Sequence, residues 1–300
     1  MAHDHGHGQV SHGRAFAIGV CLNLAFVAVE AVYGLRANSL ALVADAGHNL
    51  SDVLGLALAW GAAVLARRLP TARRTYGLRR SSVLAALANA VLLLIAVGAI
   101  AWEAIQRLSR PAPVSASTVI WVAAVGVVIN TATALLFMAG QKHDLNIKGA
   151  FLHMAADAGV SAGVILAGLA IAATGWLWLD PMISLLIVVV ILIGTWGLLR
   201  DSVNLALDAV PEGIDPGAVQ EYLVGLPGVA EVHDLHIWGM STTDVALTAH
   251  LVKPDAENED ALLTRACREL HDRFGIEHAT LQMERGGDAP PCGLAPAHVI

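Results

Sequence analysis

The chain has 300 residues, of which 56% are apolar and only 14% charged, with a net charge of −7 and a mean hydropathy of +0.63. A soluble chain carries about 25% charged residues and a disordered chain is poor in apolar ones, so both classes are excluded; three cysteines without a CxxC pair exclude a disulfide scaffold. The charge is divided unevenly, with a net +5 over residues 1–200 and a net −12 over residues 201–300. This is the pattern of a membrane part followed by an acidic, water-facing part. An acidic domain has no counterion-release route to nucleic acid, so no such partner is expected.

Residues 1–13 place His3, His5, His7 and His12 among glycines. They read as a disordered cytoplasmic segment, either a weak collector of borderline cations or a dispensable tail. The segment lacks the basic stretch and directly following apolar run of a signal peptide, so the first apolar helix is expected to stay in the mature protein. A bilayer-spanning helix needs about 20 mostly apolar residues, and residues 14–200 supply six candidates. The first two, near 14–36 and 40–66, are interrupted by Glu30 and by Asp45 and Asp52. Residues 81–102, 111–141, 158–179 and 181–199 contain no Asp, Glu, Lys or Arg. The fifth helix is expected to begin before 158, because Phe151 to Asp157 leads into it without a breaker. Pro70, Pro111, Pro113 and Pro181 fall between helices, where proline costs least.

Orientation follows from Lys and Arg in the short loops. Arg67, Arg68, Arg73, Arg74, Arg79, Arg80, Lys142 and Lys148, with Arg14 and Arg200, stand on one side against Arg36, Arg107 and Arg110 on the other. Both termini are therefore expected in the cytoplasm.

Residues 201–300 read as a small cytoplasmic α/β domain. Asp215-Pro216 opens a helix near 215–225; strands near 229–238 and 244–252 are joined by a turn at Gly239-Met240-Ser241-Thr242; an amphipathic helix near 258–274 precedes a last strand near 276–284. Side chains alternate along a regular strand, so His233 and His236 are expected on opposite faces. A hairpin centred near residue 241 makes His233 and His250 cross-strand neighbours, and Glu284 at the end of the last strand is placed to join them. His236, His271 and His278 are read as hydrogen-bonded structural residues, Cys21 and Cys267 as packing residues, and Cys292 as a candidate cap for a second cytoplasmic site.

Ionisable side chains at bilayer depth are costly and concentrate at functional positions. The second helix carries Asp45, His48 and Asp52, and the fifth carries His153 and Asp157. Each histidine is followed four residues later by an aspartate, about one turn on, so each pair shares a helix face. If the two helices meet, two imidazoles and two carboxylates converge. That set suits tetrahedral Zn²⁺, and two carboxylates cancel the dication's charge in a low dielectric. Without metal, protons compete for the same lone pairs, so a site facing the two sides in turn exchanges metal for protons. A single His–Asp pair is also a common interhelical hydrogen bond; two pairs on two helices favour the metal site. Asp45 is open to three roles: outer ligand, proton relay or orienter of the ligands. Asn23, Glu30, Asn89, Glu103 and Asn130 are read as interhelical hydrogen-bonding groups.

Gly159-Val160-Ser161-Ala162-Gly163 matches both the GxSxG of a serine nucleophile and the GxxxG of close helix packing. The hydrolase elbow needs a strand before its serine, and the fifth helix offers none, so close packing is expected. No HExxH is present.

Ser39-Leu40-Ala41-Leu42-Val43-Ala44-Asp45-Ala46-Gly47-His48-Asn49-Leu50-Ser51-Asp52, Asn146-Ile147-Lys148-Gly149-Ala150-Phe151-Leu152-His153-Met154-Ala155-Ala156-Asp157, Thr75-Tyr76-Gly77-Leu78-Arg79-Arg80, Asp180-Pro181 and His233-Asp234-Leu235-His236-Ile237-Trp238 together resemble the cation diffusion facilitators, specifically their zinc-transporting branch. The resemblance spans nearly the whole chain. It implies a homodimer in a lipid bilayer that exports divalent metal from the cytoplasm in exchange for protons. It also implies a transport site of His48, Asp52, His153 and Asp157, with histidine at 48 as the zinc-preferring arrangement. The tail domain is similar to the family's ferredoxin-like, metallochaperone-like module, and related proteins place cytoplasmic ligands at His233, His250 and Glu284. One departure is the loop between the fourth and fifth helices, His-rich in many relatives but holding only His143 here.

The expected function is proton-coupled export of Zn²⁺, with Cd²⁺, Co²⁺ or other divalent transition metals as further substrates, and no enzymatic activity. Zn²⁺ is expected both as the transported ion and in the cytoplasmic domain. The short loops and short tail point to a bacterial plasma membrane. Two other readings stand beside this one: a metal sensor or structural metalloprotein that moves no ions, and an intramembrane hydrolase. The last lacks a base poised on a serine.

Overall fold

The computed structural model describes residues 24–66, 68–138, 145–255 and 257–286. The His-rich segment, Cys21, Asn23, His143 and Cys292 lie outside the described residues. So does the side chain of Asp52, whose backbone is helical. The elements are α1 (24–37), α2 (Leu40–Ala66), α3 (Ser81–Ser109), α4 (Ala116–Met138), α5 (Leu145–Thr174), α6 (Leu179–Ala206), α7 (Pro216–Val224), β1 (Glu231–Gly239), β2 (Val245–Val252), α8 (Glu259–Phe274) and β3 (His278–Glu284). They form two compact units, one from residues up to 57 with 88–197, the other from 58–87 with 198 onward.

Among the described residues four helices are long and apolar enough to cross a membrane: Ser81–Ser109, Ala116–Leu135, Phe151–Thr174 and Leu179–Ala206. The other two expected spans correspond to α1, described only from residue 24, and to α2. The fifth helix does start well before residue 158. The sixth continues past its apolar stretch to Ala206.

The first unit is built on a core of small and branched residues, among them Phe26 of α1, Ala41, Leu42 and Ala44 of α2, Val97 of α3, Ala123 of α4, Val164 of α5 and Ile187 of α6. Two glycines set its tightest approaches. A Cβ on Gly126 would lie 2.8 Å from Phe26 Cζ and 3.1 Å from Ser161 Oγ, and one on Gly168 would lie 2.8 Å from Ile120 Cγ1. Gly159 and Gly163, expected to pack closely, face nothing within 4 Å. The close contact of α5 is therefore made through Ser161 and Gly168. Glu103 also departs from expectation: it is exposed and bonds Arg107 Nε of its own helix at 2.9 Å.

The start of α2 is held by the first turn of α6. Asp180 accepts the amides of Leu40 (2.8 Å) and Ala41 (3.4 Å) and the hydroxyl of Ser39. It thereby satisfies amides that have no partner inside their own helix, and its charge lies at the positive end of the helix dipole. Asn38, at φ 55, makes the turn from α1. Its carbonyl accepts Arg107 Nη1 at 2.7 Å and its side chain donates to Pro113 O at 3.1 Å.

In the second unit, Asp215 caps α7 by accepting Gly217 N at 2.9 Å, with Pro216 opening the helix. The sheet order is β1-β2-β3, with β1 and β2 antiparallel and β2 and β3 parallel across α8. Val219 and Leu223 of α7, Leu262, Ala266 and Leu270 of α8, and Leu247, Ala249 and Leu251 of β2 form its core. Cys267, expected to pack, is exposed. The segment between α2 and α3 is tied to this domain. Arg79 Nη1 meets Asp244 Oδ2 at 2.9 Å, Arg80 pairs with Asp208, and Thr242 N donates to Ser82 Oγ at 3.1 Å. Tyr76 lies edge-on to His278, their centroids 5.6 Å apart.

Replacing Asp180 with alanine strands buried donors at the head of α2 and is expected to cost about 1–3 kcal/mol. Asp180→Asn keeps an acceptor and is expected to lose less; thermal unfolding in detergent compares the two.

Candidate metal centres

Helical spacing and packing build the first centre. His48 of α2 and His153 and Asp157 of α5 come together, with one ligand-type atom from each lying within 4.8 Å of the others. Asp157 sits between the imidazoles. Its Oδ1 is 3.4 Å from His48 Nε2 and its Oδ2 is 3.6 Å from His153 Nε2. The two rings meet edge to face with centroids 5.8 Å apart. Asp157 is only 1% exposed and its Oδ2 has no hydrogen-bond donor, so that oxygen lacks the partner that burial demands. Two nitrogens and an oxygen converging on one space form a donor set that suits a borderline dication. Asp52, expected as a further member, lies one turn beyond His48 on α2.

Behind this centre runs a polar string that the sequence reading treated as separate hydrogen-bonding residues. Ser161 Oγ donates to Asp45 Oδ2 at 3.1 Å and Asn49 Nδ2 donates to Glu30 Oε2 at 3.2 Å. All four side chains are fully buried. Ser161, which carried the hydrolase alternative, is thus an interhelical donor one turn beyond Asp157. Asn130 is also fully buried, with neither side-chain atom partnered.

The second centre lies on the sheet face away from α7 and α8. His233 and His250 are direct cross-strand partners, with ring centroids 5.3 Å apart. Glu284 of β3 reaches both, at 3.0 Å from His250 Nδ1 and 3.4 Å from His233 Nε2. The three residues offer ligand-type atoms within 4.8 Å of one another. Both ring nitrogens of His233 are buried without a hydrogen-bond partner, so this donor set fits a metal ion.

The expectation that His233 and His236 point to opposite faces fails. A bulge between them pairs His233 with His250 and His236 with Thr248, three steps on β1 against two on β2. The extra residue puts both histidines on one face. Asp234 takes the strain at φ 50, a conformation that Asp tolerates better than most side chains. Its carboxylate then bridges the two rings, 2.9 Å from His236 Nε2 and 3.5 Å from His250 Nε2. Asp234 is the site residue the sequence reading missed, because bulges carry no periodic signal. His236 has the hydrogen bond expected of it. His271 lies 3.7 Å from Glu277, an ion-pair contact, and His278 contacts Tyr76.

The cation efflux transmembrane domain matches residues 16–205, and the cytoplasmic domain of cation efflux proteins matches residues 211–286. The metal cation efflux system protein CzcD of Cupriavidus metallidurans is 37% identical over 297 residues, 99% of this chain and 92% of the relative. The zinc transporter ZitB of Escherichia coli is 36% identical, covering 98% and 96%. A cadmium, cobalt and zinc/H⁺-K⁺ antiporter of Bacillus subtilis is 34% identical, covering 93% and 91%. Among solved structures, the metal-bound C-terminal domain of the CzcD transporter matches 24% of this chain and 99% of its own, at 36% identity and a TM-score of 0.23.

The bulge separates backbone strain from side-chain chemistry. Asp234→Val, β-branched in the left-handed region, is expected to cost about 1–2 kcal/mol and lower the thermal midpoint. Asp234→Gly is expected to keep the bulge while releasing His236 and His250, which the NMR chemical shifts of the two imidazole rings at fixed pH would register.

Proposed function

This chain belongs to the cation efflux family, and we propose on that premise that it exports zinc from the cytoplasm in exchange for protons, with cadmium and cobalt as secondary substrates. As a member of that family it is an integral membrane transporter of metal cations, not an enzyme. The observation that carries the zinc reading is the convergence of His48, His153 and Asp157 from two helices. Zinc accepts four tetrahedral ligands from nitrogen and oxygen, and Asp52 is the proposed fourth. Two carboxylates then neutralise the ion, which makes its passage through a low dielectric tolerable. Protons compete for the same lone pairs, so metal release on the far side is linked to proton uptake there. The lack of thiolate in the set favours release over permanent retention.

The remaining proposals follow the same reading. The chain crosses the bilayer six times, with both termini in the cytoplasm, as its arginine-rich α2–α3 segment supports. The membrane is the bacterial inner membrane, in keeping with the bacterial relatives. The protein works as a homodimer, supported by the match of residues 211–286 to the dimerising cytoplasmic domain of the family. His233, His250 and Glu284 hold a resident zinc ion in that domain.

In sealed vesicles, zinc uptake is expected only when a pH gradient is imposed. Asp157→Ala is expected to abolish that uptake while gel filtration still shows a folded dimer; retained uptake would reject the ligand set. A chain that binds zinc but moves none under any gradient would be a sensor. His48→Asp exchanges nitrogen for oxygen at the metal and is expected to raise cadmium flux relative to zinc; an unchanged ratio would place selectivity elsewhere.

A further inference from the structure

Two carboxyl groups lie beside the first centre without belonging to its ligand set. Glu30 of α1 and Asp45 of α2 are fully buried. One oxygen of each has a neutral donor, Asn49 Nδ2 on Glu30 Oε2 and Ser161 Oγ on Asp45 Oδ2. The other oxygens, Glu30 Oε1 and Asp45 Oδ1, have none. Ionised carboxylates only accept, and nothing donates to these two oxygens. Two uncompensated negative charges in this dry interior would carry a large desolvation penalty. Asn49 Oδ1 is also buried without a donor, which leaves the pocket lined by acceptors in need of hydrogen.

Building on the proton-exchange reading above, we propose that Glu30 holds a transferable proton and releases it when metal enters the His48–His153–Asp157 cluster. The O–H bond of Glu30 breaks, the proton passes to water on the side the site faces, and the carboxylate remains until metal leaves and a proton returns. Glu30 lies 18 residues before His48 in the sequence, and its hydrogen-bonding partner Asn49 is outside the proposed ligand set. Along their own helices the ionisable groups beside the two donors are His48, next to Asn49 on α2, and Asp157, one turn before Ser161 on α5; Gly126 of α4 lies against Ser161. Without metal, the negative charge of Asp157 opposes ionisation of Glu30. A bound dication cancels that charge and removes the opposition. The metal is thus coupled to a proton stored on a residue that never touches it.

The test uses the full-length dimer in detergent, with zinc binding followed calorimetrically in buffers of different ionisation heat to count released protons. Glu30→Gln mimics the protonated acid in shape and charge. It is expected to bind zinc and to release about one proton fewer per ion than the unchanged chain. Equal release from both would overturn the proposal while leaving proton exchange intact; no release from the unchanged chain would sink both. Infrared difference spectra need no variant to fold: zinc is expected to bleach a protonated-carboxyl band in the unchanged protein, and its absence would count against the pair. Zinc binding that depends on sodium or potassium, loses that dependence in Glu30→Gln and keeps its proton count would assign the pocket to a hard cation and reject the proposal.

Discussion

A carboxylate in the interior of a bilayer must be met by positive charge, and the membrane unit is organised around that requirement at Asp157. The residue is buried between two imidazoles contributed by different helices, with an oxygen left undonated. In the proposed carrier that deficit is what a metal ion corrects. A centre of three or four permanently satisfied ligands would hold its ion. One whose groups also take protons can give it up.

The geometry depends on features remote from the ligands. Asp180 anchors the first turn of α2, two turns before His48, through the amides of Leu40 and Ala41. Gly126 lets α4 lie against Ser161 and Phe26, and Ser161 in turn bonds Asp45. The faces of α2 and α5 that carry the histidines are therefore set from both ends: by a buried anion at a helix start, and by the absence of a side chain at a crossing.

The cytoplasmic domain reaches a similar donor set by different means. In the membrane unit, His153 and Asp157 stand on one face because a helix repeats about every four residues. In the sheet, His233 and His250 meet because antiparallel strands place them opposite each other, and Glu284 joins through the parallel pairing of β2 and β3. The bulge at Asp234 then adds a carboxylate that fixes two rings. Both centres combine two histidines with one described carboxylate, a donor set suited to a borderline cation.

Periodicity in the sequence was enough to place α7, β1, β2, α8 and β3 within a few residues and to set His153 and Asp157 on one face of their helix. Such features depend on neighbours a few residues apart, and local geometry dictates them. The sequence could not say that Asn49 bonds Glu30 and Ser161 bonds Asp45, that α5 packs through Gly168 and Ser161 rather than Gly159 and Gly163, or that Asp180 caps a helix 140 residues earlier. Nor could it reveal that a left-handed Asp234 turns His236 onto the face of His233. Each of these is decided by which surfaces meet in three dimensions, and by where burial leaves a polar atom that only a distant residue can satisfy.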